Sequence, residues 1–527
     1  MTGKSEQLET GKRFAETEDF EKALLCFGEI LGVTPDDEEA LFETGKIHYI
    51  RKEYGAAAEI LERLLRKGTS SRYAALLLGK TYKEMGDISS AIRILESSGE
   101  SSRGEEYFRE MGDLYRESGI FELAEKLYEK FLSLRPEEHE TRVRLAQLYN
   151  FGGQFGKTRD LLGEYLDQKK PSDPFLANQF LNEWEIASEK EELSSMPRIM
   201  LVTLTNRCNL NCPMCGKGDK IWDISPRLKE QALSLLPYLE LITWQGGEVF
   251  LYPEFAELLE AGARNKRLRQ IIITNGLLID KKWAGKLIGA GNADLTVSID
   301  STRKETYETL RYGGRFEKLL ENLERLNDLK KQAGSKMVLT LRFTVMKENY
   351  AELSGLADFA KKYGFGVLLV YPIDQDPYQK KEEDIFETKN PEIVAALREG
   401  RSGLAEKCAE YGIKLMDWLT SLPGKTETNA AVPADVKPHS FSGEKSGLPV
   451  CFRPWKQLAV RVDGDIFPEC LCEEPVGSIF KDGFMEAWNS PAMKMYRKKM
   501  RDGRKEWCGK ACLSGAVPGT HLKLTYG

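Results

Sequence analysis

Along the first 170 residues apolar and small positions return every three or four residues, and the whole pattern then recurs. Gly11, Gly45 and Gly79 stand 34 apart, as do Ala23, Ala57 and Ala91. A fourth unit, one residue out of step, carries Gly112, Tyr115, Ala124, Tyr128 and Pro136, and a fifth carries Ala146, Tyr149 and Leu162. Phe14, Phe27, Ile30 and Pro35 complete the first unit. The short period predicts amphipathic helices. The long one predicts helix pairs that touch at their small residues and bury their apolar faces only by stacking on neighbours. Residues 1–170 are therefore expected to form an all-α solenoid of about five units. Its concave face would hold a peptide or partner protein; a rigid spacer or dimerisation arm is the plainer alternative.

After 170 the pattern changes. Residues 171–196 read as a Pro-led linker and a short acidic helix. Short apolar runs follow at 199–204, 241–244, 270–274, 293–299, 338–345 and 366–371, with helical stretches at 255–265, 281–290, 316–333 and 350–363 between them. Strands alternating with helices predict a parallel sheet of βαβ units, here a partial (β/α)6 barrel over 197–372. In such barrels chemistry sits at the C-terminal ends of strands. A helical and loop connection is expected over 373–447. Ile393, Leu397, Leu404, Cys408, Ile413 and Leu415 form a helical stripe within 385–420, and 421–449 is a loop rich in Pro, Gly, Ser and Thr. Cys408 and Cys26 fall on helix stripes and read as core. Residues 448–527 form a small last domain, with a strand at 457–462, a turn at Asp463-Gly464, and helices near 483–488 and 494–505.

Composition narrows the function. The 527 residues are 41% hydrophobic and 30% charged, with a net charge of −6, which excludes a wholly disordered chain and argues against a dedicated nucleic-acid binder. The basic stretch 494–505 reads as a solvated helix face. The chain carries no secretory signal and no apolar run of membrane-spanning length, so a cytoplasmic location without membrane attachment is expected. The ten cysteines are too few for a disulfide scaffold and are clustered, three within 208–215 and five within 451–512, which points to metal binding.

Cys208-x3-Cys212-x2-Cys215 follows the first strand directly. Three thiolates in one loop can hold three corners of a [4Fe–4S] cube and leave one iron open; a zinc site is the alternative. Trp244-Gln-Gly246-Gly247-Glu248 ends the second strand, where two glycines would let a ligand reach backbone and Glu248 would offer a carboxylate to an ammonium. Together these motifs resemble those of the radical S-adenosylmethionine (radical SAM) superfamily. One departure is Met214 before the last cysteine, where an aromatic is common.

The resemblance implies a cluster at Cys208, Cys212 and Cys215 whose open iron binds SAM. An electron from a donor such as flavodoxin or ferredoxin would cleave SAM to a 5′-deoxyadenosyl radical, which removes a substrate hydrogen atom. It also implies that Gly246, Gly247, Glu248, Asn275, Ser298, Asp300 and Arg342 face SAM, with Arg342 pairing its carboxylate. The 34-residue repeat resembles the tetratricopeptide repeat. The last domain resembles the SPASM and shorter twitch extensions. Too few cysteines remain for two auxiliary clusters, so one is expected, held by Cys451, Cys470, Cys508 and Cys512, with Cys472 competing with Cys470 and a zinc ribbon as the alternative. No catalytic acid or base stands out. Asp374, Asp376 and Tyr371 are weak candidates, and Tyr378 could line the substrate space. The resemblance favours modification of a peptide or protein. Oxidation or epimerisation of a small molecule such as a sugar, and an interaction protein with a vestigial barrel, are the alternatives.

Overall fold

Small residues decide how the first helices pack. The computed structural model describes residues 2–51, 53–66, 72–97, 104–167, 171–215, 221–373, 390–419, 451–468 and 474–502. They fall into two compact units, one up to Tyr149 and one from Asn150. The first is built of helix pairs: α1 (Thr2–Glu16) with α2 (Phe20–Val33), α3 (Glu38–Ile50) with α4 (Tyr54–Arg66), α5 (Arg72–Met85) with α6 (Ile88–Ser97), and α7 (Glu105–Glu117) with α8 (Phe121–Leu134). A Cβ added at Gly11, Gly45, Gly79 or Gly112 would come within 2.6, 2.9, 2.7 or 2.6 Å of Phe27, Leu61, Leu95 or Tyr128. The repeating glycine is thus the point of closest helix approach. A second repeating feature joins the pairs: the hydroxyls of Tyr82, Tyr115 and Tyr149 donate to Glu62, Glu96 and Glu129 of the preceding helix. Buried Asp113 accepts from the Tyr128 hydroxyl at 2.6 Å and takes Arg144 at 2.9 Å. Cys26 is only half buried, because its neighbour Phe27 takes the interior position; it is not the core residue its stripe predicts.

The second unit begins within α9 (His139–Phe151) and continues through α10 (Phe155–Asp167) and α11 (Pro174–Ala187). The expected linker is a packed helix instead: ten of the 14 residues of α11 are buried. Polar side chains hold it there. Glu183, fully buried, accepts from Lys456 Nζ at 2.7 Å and Asn150 Nδ2 at 2.8 Å and pairs with Arg198, which also pairs with Glu240.

Among the described residues the sheet of this unit has ten strands in the order β10-β9-β8-β1-β2-β3-β4-β5-β6-β7. They are β1 (Ile199–Thr205), β2 (Leu241–Gly246), β3 (Arg269–Thr274), β4 (Ala293–Ser298), β5 (Leu339–Val345), β6 (Val367–Pro372), β7 (Lys414–Asp417), β8 (Gln457–Val460), β9 (Asp465–Phe467) and β10 (Gly477–Ser478). The run from β8 to β7 is parallel, while β9 and β10 turn antiparallel. One strand face is dry: Val202, Ile242, Trp244, Val297, Leu341 and Val370 pack under helices. On the other, Thr203, Gln245, Thr340 and Arg342 are partly exposed, with Thr296 and Ser298 beside them, so the sheet presents a polar surface where an all-apolar filling would be usual.

Three expectations need correction. The helix Pro391–Tyr411 ends at Gly412, left-handed at φ 66°, and residues 414–417 become a strand paired to β6 rather than helix; Cys408 is core, as its stripe predicts. Residues from Gln457 onward add three strands to the same sheet rather than standing apart. Within the basic stretch, Arg497 is not solvated. It is buried, donates to the carbonyls of Pro454, Glu191 and Trp488, and burial lowers its pKa to about 9. Among the described residues no helix is long and apolar enough to cross a membrane.

Candidate active site

The cysteine loop leaves the C-terminal end of β1, and its first residues are fastened to the end of β2. Gly247 N donates to Thr205 O and Glu248 N to Arg207 O, each at 2.7 Å. Gly246 has φ 152°, and a Cβ on it would lie 2.2 Å from Thr205 O; one on Gly247 would lie 2.3 Å from Arg207 O. This changes the reason for the glycines. The space in front of them is taken by the chain's own backbone, so they clamp the root of the cysteine loop rather than clear room for a ligand.

Glu248 is fully buried and turned into the protein. Its carboxylate accepts from the Thr274 hydroxyl at 2.8 and 3.0 Å, from Asn275 N at 2.9 Å and from Phe250 N at 3.4 Å. Burial pushes its pKa up to about 7, partly offset by these hydrogen bonds. Asn275 in turn donates from Nδ2 to Asn209 Oδ1 at 2.8 Å, with Cys208 Sγ at 4.0 Å. Glu248 and Asn275 thus form a relay from the ends of β2 and β3 to the cysteine loop.

Cys208 and Cys212 are partly buried, Cys215 is exposed, and none is in a disulfide. Burial raises the Cys212 thiol pKa, and the nearby Arg311 guanidinium opposes this. Met214 is buried with Leu310, Met346 and Ile373, and Cys212 packs against that group, so the methionine keeps an apolar cover beside the loop. Arg311 Nη1 lies 4.0 Å from Cys212 Sγ and its other end pairs with Asp300, itself buried and left-handed at φ 58°. Ser298 and Arg342 are direct partners across β4 and β5, and the Arg342 guanidinium stacks over the Tyr371 ring at 4.6 Å. Asp374, Asp376 and Tyr378 lie outside the described residues, as do Cys470, Cys472, Cys508 and Cys512. Cys451 is partly buried and packs against the main core.

The site fits an iron–sulfur group. Its thiol donors are the ligands such clusters take. Among the described residues the buried hydroxyls of Tyr307 and Tyr371 lack a hydrogen-bond partner, as does Arg311 Nε. Buried polar groups are nearly always paired, so orphans gathered here match a site shaped for a further group.

Residues 202–360 match the radical SAM superfamily. The chain carries a radical SAM domain. Residues 451–513 of this radical SAM protein match the SPASM iron–sulfur cluster-binding domain, and residues 8–72 match a tetratricopeptide repeat. Among curated relatives, AdoMet-dependent heme synthase of Methanosarcina barkeri is 25% identical over 59% of this chain and 86% of its own length. Mycofactocin maturase MftC of Mycobacterium ulcerans is 24% identical over 60% of this chain and 81% of its own. Among solved structures, Streptococcus suis SuiB bound to precursor peptide SuiA aligns at 16% identity over 70% of this chain and 89% of that one, with a TM-score of 0.45. The radical SAM domain implies SAM and a [4Fe–4S] cluster, and the SPASM domain implies auxiliary cluster binding.

Sequence reasoning missed Arg311 and Tyr307. Both follow a polar stretch with no motif, and only the fold sets Arg311 beside a cysteine 99 positions away. It also missed Asp223, which accepts from Thr205 Oγ1 at 2.6 Å and pairs with Arg207 at 3.0 Å, bracing the start of the loop.

Proposed function

We propose that this radical SAM enzyme modifies a peptide or protein, with Cys208, Cys212 and Cys215 holding the SAM-binding cluster. The observation that supports a macromolecular substrate is the repeat solenoid carried on the same chain, since stacked helix pairs make extended binding surfaces. The maturase name of the MftC relative agrees with it. When bound, the cluster and SAM supply one-electron cleavage and hydrogen-atom abstraction. The chain's own residues do the rest. The Gly246-Gly247 clamp, Glu248 and Asn275 hold the cysteine loop at the strand ends. Ser298 and Arg342, adjacent on the polar sheet face, are suited to a carboxylate, which an arginine fork binds well. Asp300 completes the set by fixing Arg311. Cys451 contributes to one auxiliary cluster with Cys470, Cys508 and Cys512, Cys472 being the alternate, and a flavodoxin- or ferredoxin-type donor supplies electrons.

The second reading is oxidation of a small molecule, favoured by the heme synthase relative, most of whose length this chain spans. One experiment separates them. The chain is coexpressed with candidate peptides from neighbouring small reading frames and the peptides are analysed by mass spectrometry, beside a variant lacking residues 1–138. That deletion keeps Asn150, which Glu183 needs. A peptide mass shift that depends on Cys208, Cys212 and Cys215 and disappears on deletion supports the proposal. Turnover of a small molecule at full rate by the shortened chain would sink it.

A further inference from the structure

Beside the cysteine loop lies a partly buried ion pair whose guanidinium the proposed function gives no task of its own. Arg311 follows the helix Lys304–Leu310 and is pinned at both backbone ends, its N–H donating to Tyr307 O and its carbonyl accepting from Gly314 N, each at 2.7 Å. The next residue is stitched to the cysteine loop, with Asn211 N donating to Tyr312 O at 2.9 Å. The guanidinium is therefore delivered to a fixed place. One end reaches Cys212 Sγ at 4.0 Å and the other pairs with Asp300. Asp300 is held just as firmly. Its Oδ1 accepts from Thr344 N and its carbonyl from Asn349 Nδ2, both at 2.8 Å, in a left-handed conformation that non-glycine residues seldom adopt. Backbone strain of this kind gathers at functional sites. Tyr307, also buried, has a hydroxyl without a hydrogen-bond partner among the described residues.

We infer that Arg311, locked by Asp300, sets the reduction potential of the group held by Cys208, Cys212 and Cys215 by directing a permanent positive charge and N–H donors at Cys212. This rests on the proposed assignment of those three cysteines. Reduction adds negative charge to a cluster, and hydrogen bonds to its sulfurs are a recognised means of setting its potential. Arginine stays protonated at every accessible pH, so its charge is constant. Asp300 balances that charge from the far side, which gives the pair a signed prediction: losing the arginine and neutralising the aspartate should move the potential in opposite directions. A pair that only braces the fold predicts no such opposition.

The test is an EPR-monitored redox titration of the full-length, anaerobically reconstituted protein without added SAM. The signal followed is the one abolished by the combined Cys208→Ala, Cys212→Ala and Cys215→Ala replacement. R311Q should favour the oxidised form at least tenfold, a fall of about 59 mV for a one-electron couple. R311K should stay within about threefold of the wild type. D300N, in which asparagine tolerates the left-handed backbone, should shift the equilibrium the other way. An unchanged potential in R311Q at full iron content overturns the inference, as do equal shifts in R311K and R311Q. If R311Q takes up no iron, D300N decides, and an unmoved or lowered potential there overturns it. A wild type with no signal dependent on the three cysteines overturns the site assignment itself, and this inference with it.

Discussion

Replacing Glu183 by Gln should unfold the second unit far more easily while leaving the shape of the side chain unchanged. Glu183 has no exposed surface, and neither does its partner Arg198. Lys456 Nζ sits 2.7 Å from its carboxylate. Burial by itself would raise the Glu183 pKa, but Lys456 and Arg198 outweigh it and lower the value from 4.5 to about 2. That is a shift of roughly 2.5 units at about 1.4 kcal/mol each, or about 3 kcal/mol of stability at neutral pH. The cost of stranding a buried charge by deleting its partner is about 3–5 kcal/mol, which agrees. Arg198 keeps Glu240 in the variant, while Lys456 loses the carboxylate 2.7 Å from its Nζ. The sign with pH follows. A depressed carboxylate stabilises fully above its unfolded pKa near 4.5 and loses this as pH falls towards 2, so the gap between wild type and E183Q should narrow over that window. All eight tryptophans lie at position 184 or later, so their fluorescence during urea unfolding reports this unit. Equal urea midpoints for E183Q and wild type at pH 7 would refute the reasoning, and so would a gap that widens as pH falls. Replacing Glu183 and Lys456 together by Met should recover most of the loss, since an apolar substitute for a buried pair is often neutral.

Gly246→Ala should displace the root of the cysteine loop, because its Cβ would fall 2.2 Å from Thr205 O; iron content after reconstitution should drop sharply, and full loading would count against the clamp. Gly285→Ala is the contrasting case: the residue is exposed within the helix Lys281–Ala290 with open space around it, so the change should stabilise by about 1 kcal/mol in a urea titration. Two clusters of four irons should give about eight irons per reconstituted chain, and the triple Cys208, Cys212 and Cys215 variant should keep about half. A count near four in the wild type would remove the auxiliary cluster.

Local pattern was enough for much of this protein. A helix pair advertises itself through its own periodicity, so the repeats and their glycine contacts were legible from Gly11 onward. The parallel strands were legible for the same reason, as was the three-cysteine loop at the end of β1, which is a contiguous motif. Distance along the chain hid the rest. Glu183 looks like one acid in a linker helix until Lys456, 273 positions on, reaches it. The strand at 414–417 looks helical because its apolar residues continue the stripe, and only pairing to β6 past Gly412 decides otherwise.

The candidate site divides along the same line. Sequence by itself determined which ligand types are present and that they stand at strand ends, because motif spacing is a property of adjacent residues. Tertiary structure alone decided what each does there. It turned Glu248 inward to its own backbone partners, placed the Thr205–Arg207 backbone against the two glycines, and set Arg311 and Asp300 beside Cys212. The physical reason is that burial and short-range electrostatics depend on which groups are within a few ångströms, and in a sheet of crossover connections those neighbours come from segments far apart in the chain.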